Sequence, residues 1–206
     1  MHSEISHFPS KHFYDNLLTT APQIDIQYND FPVFPYIVYD ILDSQESSSS
    51  NSKTNSNEAL VIVKICSELL RLNSHISIGI ITPYQAQCAL YSKSLKQNPN
   101  YRRIEVNTVD SFQGREKDII IVSCVRANNG TGGIGFLSCK KRLNVAITRA
   151  RKCLIICIHS NTLMQDENWK KLIEDAKERG CFRTVASYKD IQQIFASTMI
   201  RHRKYH

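Results

Sequence analysis

Between Thr108 and Arg151 the chain gathers residue types able to handle a polyanion. Glu116 stands two residues after Gly114, and Arg142, Arg149 and Arg151 follow on a segment patterned as a helix. A carboxylate beside a residue without Cβ can accept hydrogen bonds from ribose hydroxyls, because glycine lets a ligand or a neighbouring backbone approach closely. Arg149, in Thr148-Arg149-Ala150-Arg151, is too polar for an apolar helix stripe. A guanidinium there can stabilise charge on a transferring phosphoryl group. Each residue has an ordinary alternative: Glu116 can pair with Arg115, Lys117 or a helix arginine, and Arg149 can be a solvated surface side chain. A second candidate is Thr82-Pro83-Tyr84-Gln85, where a strand runs into a helix. Thr82 can be the N-cap, Pro83 the first helical residue and Gln85 the reciprocal partner of a capping box. Free backbone N–H groups at such a junction suit a phosphate.

Charge supports the same region. Residues 101–152 hold 11 basic and 4 acidic side chains, an excess of seven equal to that of all 206 residues. Such a balance fits nucleic acid, phosphorylated ligands or an anionic surface. The seven cysteines include no C-x-x-C pair, and the histidines show no zinc-ligand spacing. His2, His7 and His12 share no helical face, so no metal is expected. Cys153 and Cys157 have equal parity in an apolar strand and read as core. Free buried cysteines point to a reducing compartment, and no segment has the length or apolarity of a membrane span. The chain is expected to be intracellular, in nucleus or cytoplasm. The loop 126–136 carries four of the seven glycines, but no Lys-Ser/Thr follows, so it is not a Walker A sequence and reads as a mobile loop.

These residues need a scaffold, and the hydrophobic pattern supplies one. Strands are expected at 34–42, 76–82, 104–109, 118–125, 153–158 and 182–187, and helices at 59–72, from 85 to about 96, 139–150, 167–180 and 188–197. Asn55 and Glu58 have capping-box spacing, Ser138 can cap the helix at 139, and Trp169 falls on a core stripe with Leu172, Ile173 and Ala176. The Ser/Asn tract 44–57 reads as a flexible surface insertion. Residues 1–33 form an N-terminal segment packed on the domain edge, 34–197 the domain itself, and 198–206 a basic tail. The alternation of apolar strands and helices predicts an α/β fold with a doubly wound, mostly parallel sheet. In that architecture ligands sit beyond the strand C-termini, an edge expected to collect Thr82–Tyr84, Asp110–Glu116 and an end of the arginine helix.

Several stretches resemble motifs of the Upf/senataxin-like superfamily 1 helicases. VNTVDSFQGREKDIIIVSCVRANN…IGFL resembles their motif V, RLNVAITRARKCLII their motif VI, and IGIITPYQAQ their motif IV. The opening MHSEISHFPSKHFY resembles the segment after motif III, with Ser3 in place of the usual proline, and Ser111 replaces a frequent alanine. The resemblance covers nearly the whole chain and implies the C-terminal RecA-like domain of an ATP-dependent, 5′-to-3′ translocase acting on single-stranded RNA or DNA. It assigns Arg149 as the arginine finger on the γ-phosphate. Glu116 and Gly114 become ribose-side residues, with Gln113 and Arg151 in the same cleft. Thr108, Thr82, Pro83 and Tyr84 line the nucleic-acid strand, and the nucleus is slightly favoured as the compartment. No G-x-x-x-x-G-K-[ST] and no acidic Walker B strand occur, so the domain lacks its own P-loop. ATP with Mg2+ is therefore expected to be shared with an N-terminal RecA-like domain outside this sequence, the Mg2+ ligands lying there. The chain is expected to be a fragment, or a gene model begun at an internal methionine, and inactive alone. The alternative is a non-catalytic module that binds nucleic acid or a protein partner.

Overall fold

The computed structural model describes residues 1–28, 31–49, 52–96, 98–130 and 132–196; the expected basic tail lies outside them. Six strands form one sheet: β1 (Tyr36–Ile41), β4 (Ile78–Thr82), β5 (Ile104–Thr108), β6 (Lys117–Ser123), β7 (Ala150–Ile158) and β8 (Phe182–Val185), in the order β5-β4-β6-β7-β1-β8. Every pairing in it is parallel. The central strands are continuous apolar runs because both faces are covered. Along β6, Ile119 and Ile121 enter one core while Ile120 and Val122 enter the other.

The direction of travel decides which face each connection covers. From β1 the chain moves one way, through α3 (Ser56–Leu72) to β4 and through α4 (Gln85–Lys96) to β5, and these helices pack on the face of Ile119. It then reverses, crossing to β6 by Val109 and Phe112, to β7 by α5 (Lys140–Ile147) and to β8 by α7 (Glu167–Glu178). All of these pack on the face of Ile120. Right-handed crossovers require that swap of faces. The result is a three-layer, RecA-like α/β domain.

The N-terminal residues pack on the domain through a helix. The helix α1 (Ser3–Phe13) buries Ile5 and Phe8 in the core that holds Tyr36 and Trp169. Arg179, which caps the C-terminus of α7, donates to Glu4 Oε2 at 2.6 Å and stacks over Tyr36, tying α1 to the last crossover. A short helix, α2 (Pro22–Tyr28), follows, and Asp25 in it accepts from Ser3 N at 2.8 Å.

The Ser/Asn tract, expected to be flexible, contains β2 (Ser47–Ser49) and β3 (Ser52–Thr54), paired antiparallel. Three polar anchors explain its order. Ser52 Oγ accepts from Ala86 N at 3.1 Å, Glu46 takes Arg126 and Lys53 at 2.7 Å each, and Asn55 is fully buried at the start of α3. Asn55 caps α3 by accepting from Glu58 N, but the reciprocal half of the expected box is absent. The Glu58 side chain instead turns inward to accept from Ser123 Oγ and, at 3.0 Å, from Val125 N.

Among the other expectations, Trp169 is core, its indole N–H donating to Leu137 O at 2.9 Å, and Cys153 and Cys157 are buried. Two caps differ. Ser138 Oγ donates to Gly135 O rather than capping α5, and the N–H of Ala86 at the head of α4 is served by Ser52, not by Thr82. The glycine loop is pinned rather than mobile over its described residues. Thr162 Oγ1 accepts from Asn128 N and Asn129 N, and Gly132 O accepts from Asn128 and Gln165 side chains. With those N–H groups engaged, they are not offered to a phosphate. No helix among the described residues is long and apolar enough to cross a membrane, and none of their acidic, histidine and cysteine side chains cluster as a metal site.

Candidate functional site

Because all six strands run the same way, the sheet has one edge where strands begin and another, about 20 Å away, where they end. The candidate residues divide between them instead of sharing the ending edge. Glu116 immediately precedes β6 and Arg149 immediately precedes β7, so both lie at the beginning edge. Thr82 and Thr108 are the last residues of β4 and β5 and lie opposite each other at the ending edge.

At the beginning edge one backbone bond brings the distant segments together: Lys117 N donates to Arg149 O at 3.2 Å. It sets Gly114–Glu116 beside Arg149–Arg151, and Arg151 Nε donates to Glu116 Oε2 at 3.2 Å. Both members of that pair are about half exposed, at 51% and 53%. Glu116 therefore has an arginine partner, as the ordinary reading allowed, yet one that solvent or a ligand reaches. Arg149 is not on the helix as expected. Thr148 Oγ1 donates to Asn144 O at 2.8 Å and ends α5, a local competition typical of threonine. Its guanidinium folds back on the helix end, donating to Val145 O at 3.0 Å and to Thr148 Oγ1 at 2.9 Å. A cation at a helix C-terminus is favourable, and among the described residues it has no carboxylate partner.

Gly114 has φ +79°, and a Cβ added there would meet nothing within 4 Å. The left-handed turn, rather than crowding by the chain itself, calls for glycine, and it leaves the space beside Glu116 open. Gln113 is exposed and closes the preceding turn through its N–H to Asp110 O. Around this group run further ion pairs: Glu105 with Arg115 and Lys117, and Asp118 with Lys152. The hydrogen bond from Lys117 is the main cause holding the Glu105 carboxyl below its usual range.

The ending edge is built differently. Thr108 Oγ1 donates to Ser111 Oγ at 3.0 Å and organises the turn Asp110–Phe112. Asp110 receives Arg142 Nε and Nη2 at 3.0 and 2.8 Å, a bidentate pair that depresses its carboxyl. Thr82 is fully buried and its hydroxyl has no hydrogen-bond partner among the described residues, so it is not presented to solvent. Pro83 is half-buried and Tyr84 buried. Burial pushes the Tyr84 phenol up, with Arg126 opposing it.

Sequence reasoning missed the residues that join these parts. Arg126, buried just after β6, is bound by Glu46 and lies beside Tyr84. Burial raises the Glu46 carboxyl, but hydrogen bonds from Arg126 and Lys53 outweigh it. Phe136 meets the edge of Tyr84, with ring centroids 6.0 Å apart, and the guanidinium of Arg142 lies 5.4 Å over it. An aromatic set among glycines in Ile134-Gly135-Phe136 was the signal available.

Comparison with known proteins gives the family. Residues 1–161 match the AAA domain family model. The chain is 42% identical over 186 residues to the probable helicase senataxin of Homo sapiens, covering 87% of this chain and 7% of that protein. It is 36% identical over 220 residues to helicase SEN1 of Saccharomyces cerevisiae, covering 98% and 10%. Thus it spans a small part of these relatives. Among solved structures, the C-terminal domain of a possible DNA helicase from Lactobacillus plantarum WCFS1 matches with TM-score 0.45 and 14% identity, over 82% of this chain and 98% of that one. The chain belongs to this AAA domain family, as a senataxin-like superfamily 1 helicase C-terminal domain.

Proposed function

We propose that this domain is one wall of an ATP-driven, 5′-to-3′ translocating helicase. Its strand-beginning edge would face nucleotide and its strand-ending edge single-stranded RNA or DNA. The observation that carries the reading is the Lys117 N to Arg149 O bond, which sets a solvent-accessible carboxylate and an arginine with no carboxylate partner among the described residues on one edge. That donor set suits a nucleoside triphosphate: Glu116 accepts from ribose hydroxyls in the space beside Gly114, and Arg149 donates to the γ-phosphate. Gln113 and Arg151 border the same space. Arg151 must partly release Glu116 for this, a small cost for a half-exposed pair. ATP with Mg2+ supplies the bond whose hydrolysis drives movement; its phosphate loop and metal ligands belong to an N-terminal RecA-like domain. Arg149 swings from Val145 O to the transferring group and stabilises charge there in a site that closure has emptied of water. On the other edge Thr108, Pro83 and Tyr84 border the strand, with Thr82 behind them.

The test joins this chain to a family RecA-like domain bearing the Walker motifs. Arg149→Ala is expected to retain nucleotide binding and lose about 10³–10⁵-fold in turnover, the range for arginine fingers. Normal hydrolysis by that variant would remove the assignment. No hydrolysis by the unaltered joined protein would favour the non-catalytic, binding-module reading.

A further inference from the structure

Phe136 is an exposed aromatic side chain held in place. It is the second residue of the short turn Gly135–Ser138, with buried Ile134 before the turn and buried Leu137 at its third position, and Leu137 O is fixed by the Trp169 indole. Gly135 has φ +60°, and a Cβ on it would stand 3.1 Å from Arg126 Nη1 and 3.5 Å from Tyr84 Oη. A side chain at 135 would therefore crowd this polar pair, while the side chain at 136 is exposed. The ring then meets Tyr84 edge-on at 71°, and Arg142 lies over it. Arg142 is itself fixed by its bidentate bond to Asp110, two residues beyond Thr108. Even so, Phe136 remains 53% exposed.

Single exposed apolar residues are common and need no explanation. Three features separate this one. Its orientation is set by two aromatic and cationic neighbours, it is anchored on both sides by buried residues, and it bridges the Tyr84 junction to the Thr108 turn. Those two elements are otherwise separate candidates for contact with a strand. A ring with Arg142 over it and an open remainder offers a surface on which a nucleobase can stack. Stacking needs no particular base, since every base has a π-face.

We infer that Phe136, positioned by Tyr84 and Arg142, is a base-stacking platform for single-stranded nucleic acid on the strand-ending edge. The inference rests on the proposed nucleic-acid role of that edge and adds to it a contact with bases rather than phosphates. Arg142 acts as a positioning residue, because Asp110 already engages two of its nitrogens.

The experiment measures binding of the 206-residue chain to two labelled strands of equal length at low salt, by fluorescence anisotropy. One is an ordinary single-stranded oligonucleotide and the other an abasic strand with the same phosphates. Phe136→Ala is expected to weaken the ordinary strand about five-fold or more and to leave the abasic strand unchanged. Phe136→Trp restores the ordinary strand, whereas Phe136→Leu, apolar without a ring, does not. Equal effects on both strands, or full rescue by leucine, overturn the stacking role while leaving the strand-binding edge intact. If the unaltered chain binds neither strand, the nucleic-acid reading fails and takes the inference with it.

Discussion

Where the strands end, polar groups are consumed by the fold. Buried Arg126 is held by Glu46, Glu46 also takes Lys53 and Ala127 N, and Asp110 holds Arg142 with two bonds. Behind them Glu58, Ser123, Tyr91, Gln87 and Asn55 form a buried network that includes Val125, a β-branched residue at φ +68°. Glu58 accepts the Val125 N–H and Asn55 donates to the Val125 carbonyl at 3.0 Å, which holds that uncommon conformation in place. Where the strands begin, Glu116 and Arg151 share one half-exposed contact, and the Arg149 guanidinium donates to an α5 carbonyl and its neighbour's hydroxyl. Invested polar groups brace a surface; groups left accessible can be used by something from outside. The first edge is braced by its own bonds, and the second leaves a carboxylate and two arginines within reach of solvent.

Four results would break or sharpen that contrast. The largest is kinetic: Arg149→Ala in the joined protein is expected to lose about 10³–10⁵-fold in turnover. Its oligonucleotide affinity should stay within about two-fold, because the substitution is at the opposite edge. A parallel loss of strand binding would mean the edges are not separate. Next is Glu58→Ala, which orphans the Val125 N–H and leaves the Ser123 hydroxyl with Tyr91 as its remaining partner. Each buried group left without its acceptor costs roughly 1–3 kcal/mol, measurable by urea unfolding. A change below about 0.5 kcal/mol would show that this edge is not braced as described.

The third concerns pH. Burial is the leading cause that pushes the Glu58 carboxyl up to about 8, with hydrogen bonds from Ser123 and Val125 opposing it. A raised carboxyl binds a proton in the folded state that the unfolded chain has released. Its stabilisation is therefore complete below the unfolded value near 4.5 and is lost as pH rises through about 8. Unfolding midpoints across that window should decline in the parent, and more gently in Glu58→Gln. Equal slopes would rule Glu58 out as the titrating group. The smallest effect belongs to the beginning edge: Arg151→Ala should change unfolding free energy by no more than about 1 kcal/mol, as for an exposed pair. A larger loss would show that edge to be structural as well.

The fold was legible because its cause is local. Ile78–Thr82 and the run from Ile119 to Val122 are apolar on both faces, which only a sheet covered on both sides accommodates. The helix containing Trp169 declared itself by spacing; its cap, Asp166, whose side chain accepts from Asn168 N and Trp169 N, emerged with the structure. Errors arose where a side chain had a choice of partners. Thr148 took a helix carbonyl and ended α5 before Arg149, Ser52 displaced Thr82 at the head of α4, and the serine tract was ordered by Glu46 and Asn55 reaching distant groups.

Residue type and short-range spacing were enough for the six strands of the sheet, the approximate helices between them, the basic segment and the family resemblance. Tertiary packing was needed to set Glu116 and Arg149 on the side where strands start, joined through Lys117 N and Arg149 O, and Thr108 and Thr82 opposite each other where strands end. It likewise decided that Phe136 stands between Tyr84 and Arg142. The reason is the parallel sheet: every strand start falls on one edge and every end on the other. A residue's side therefore depends on which end of its strand it borders, not on its distance along the chain.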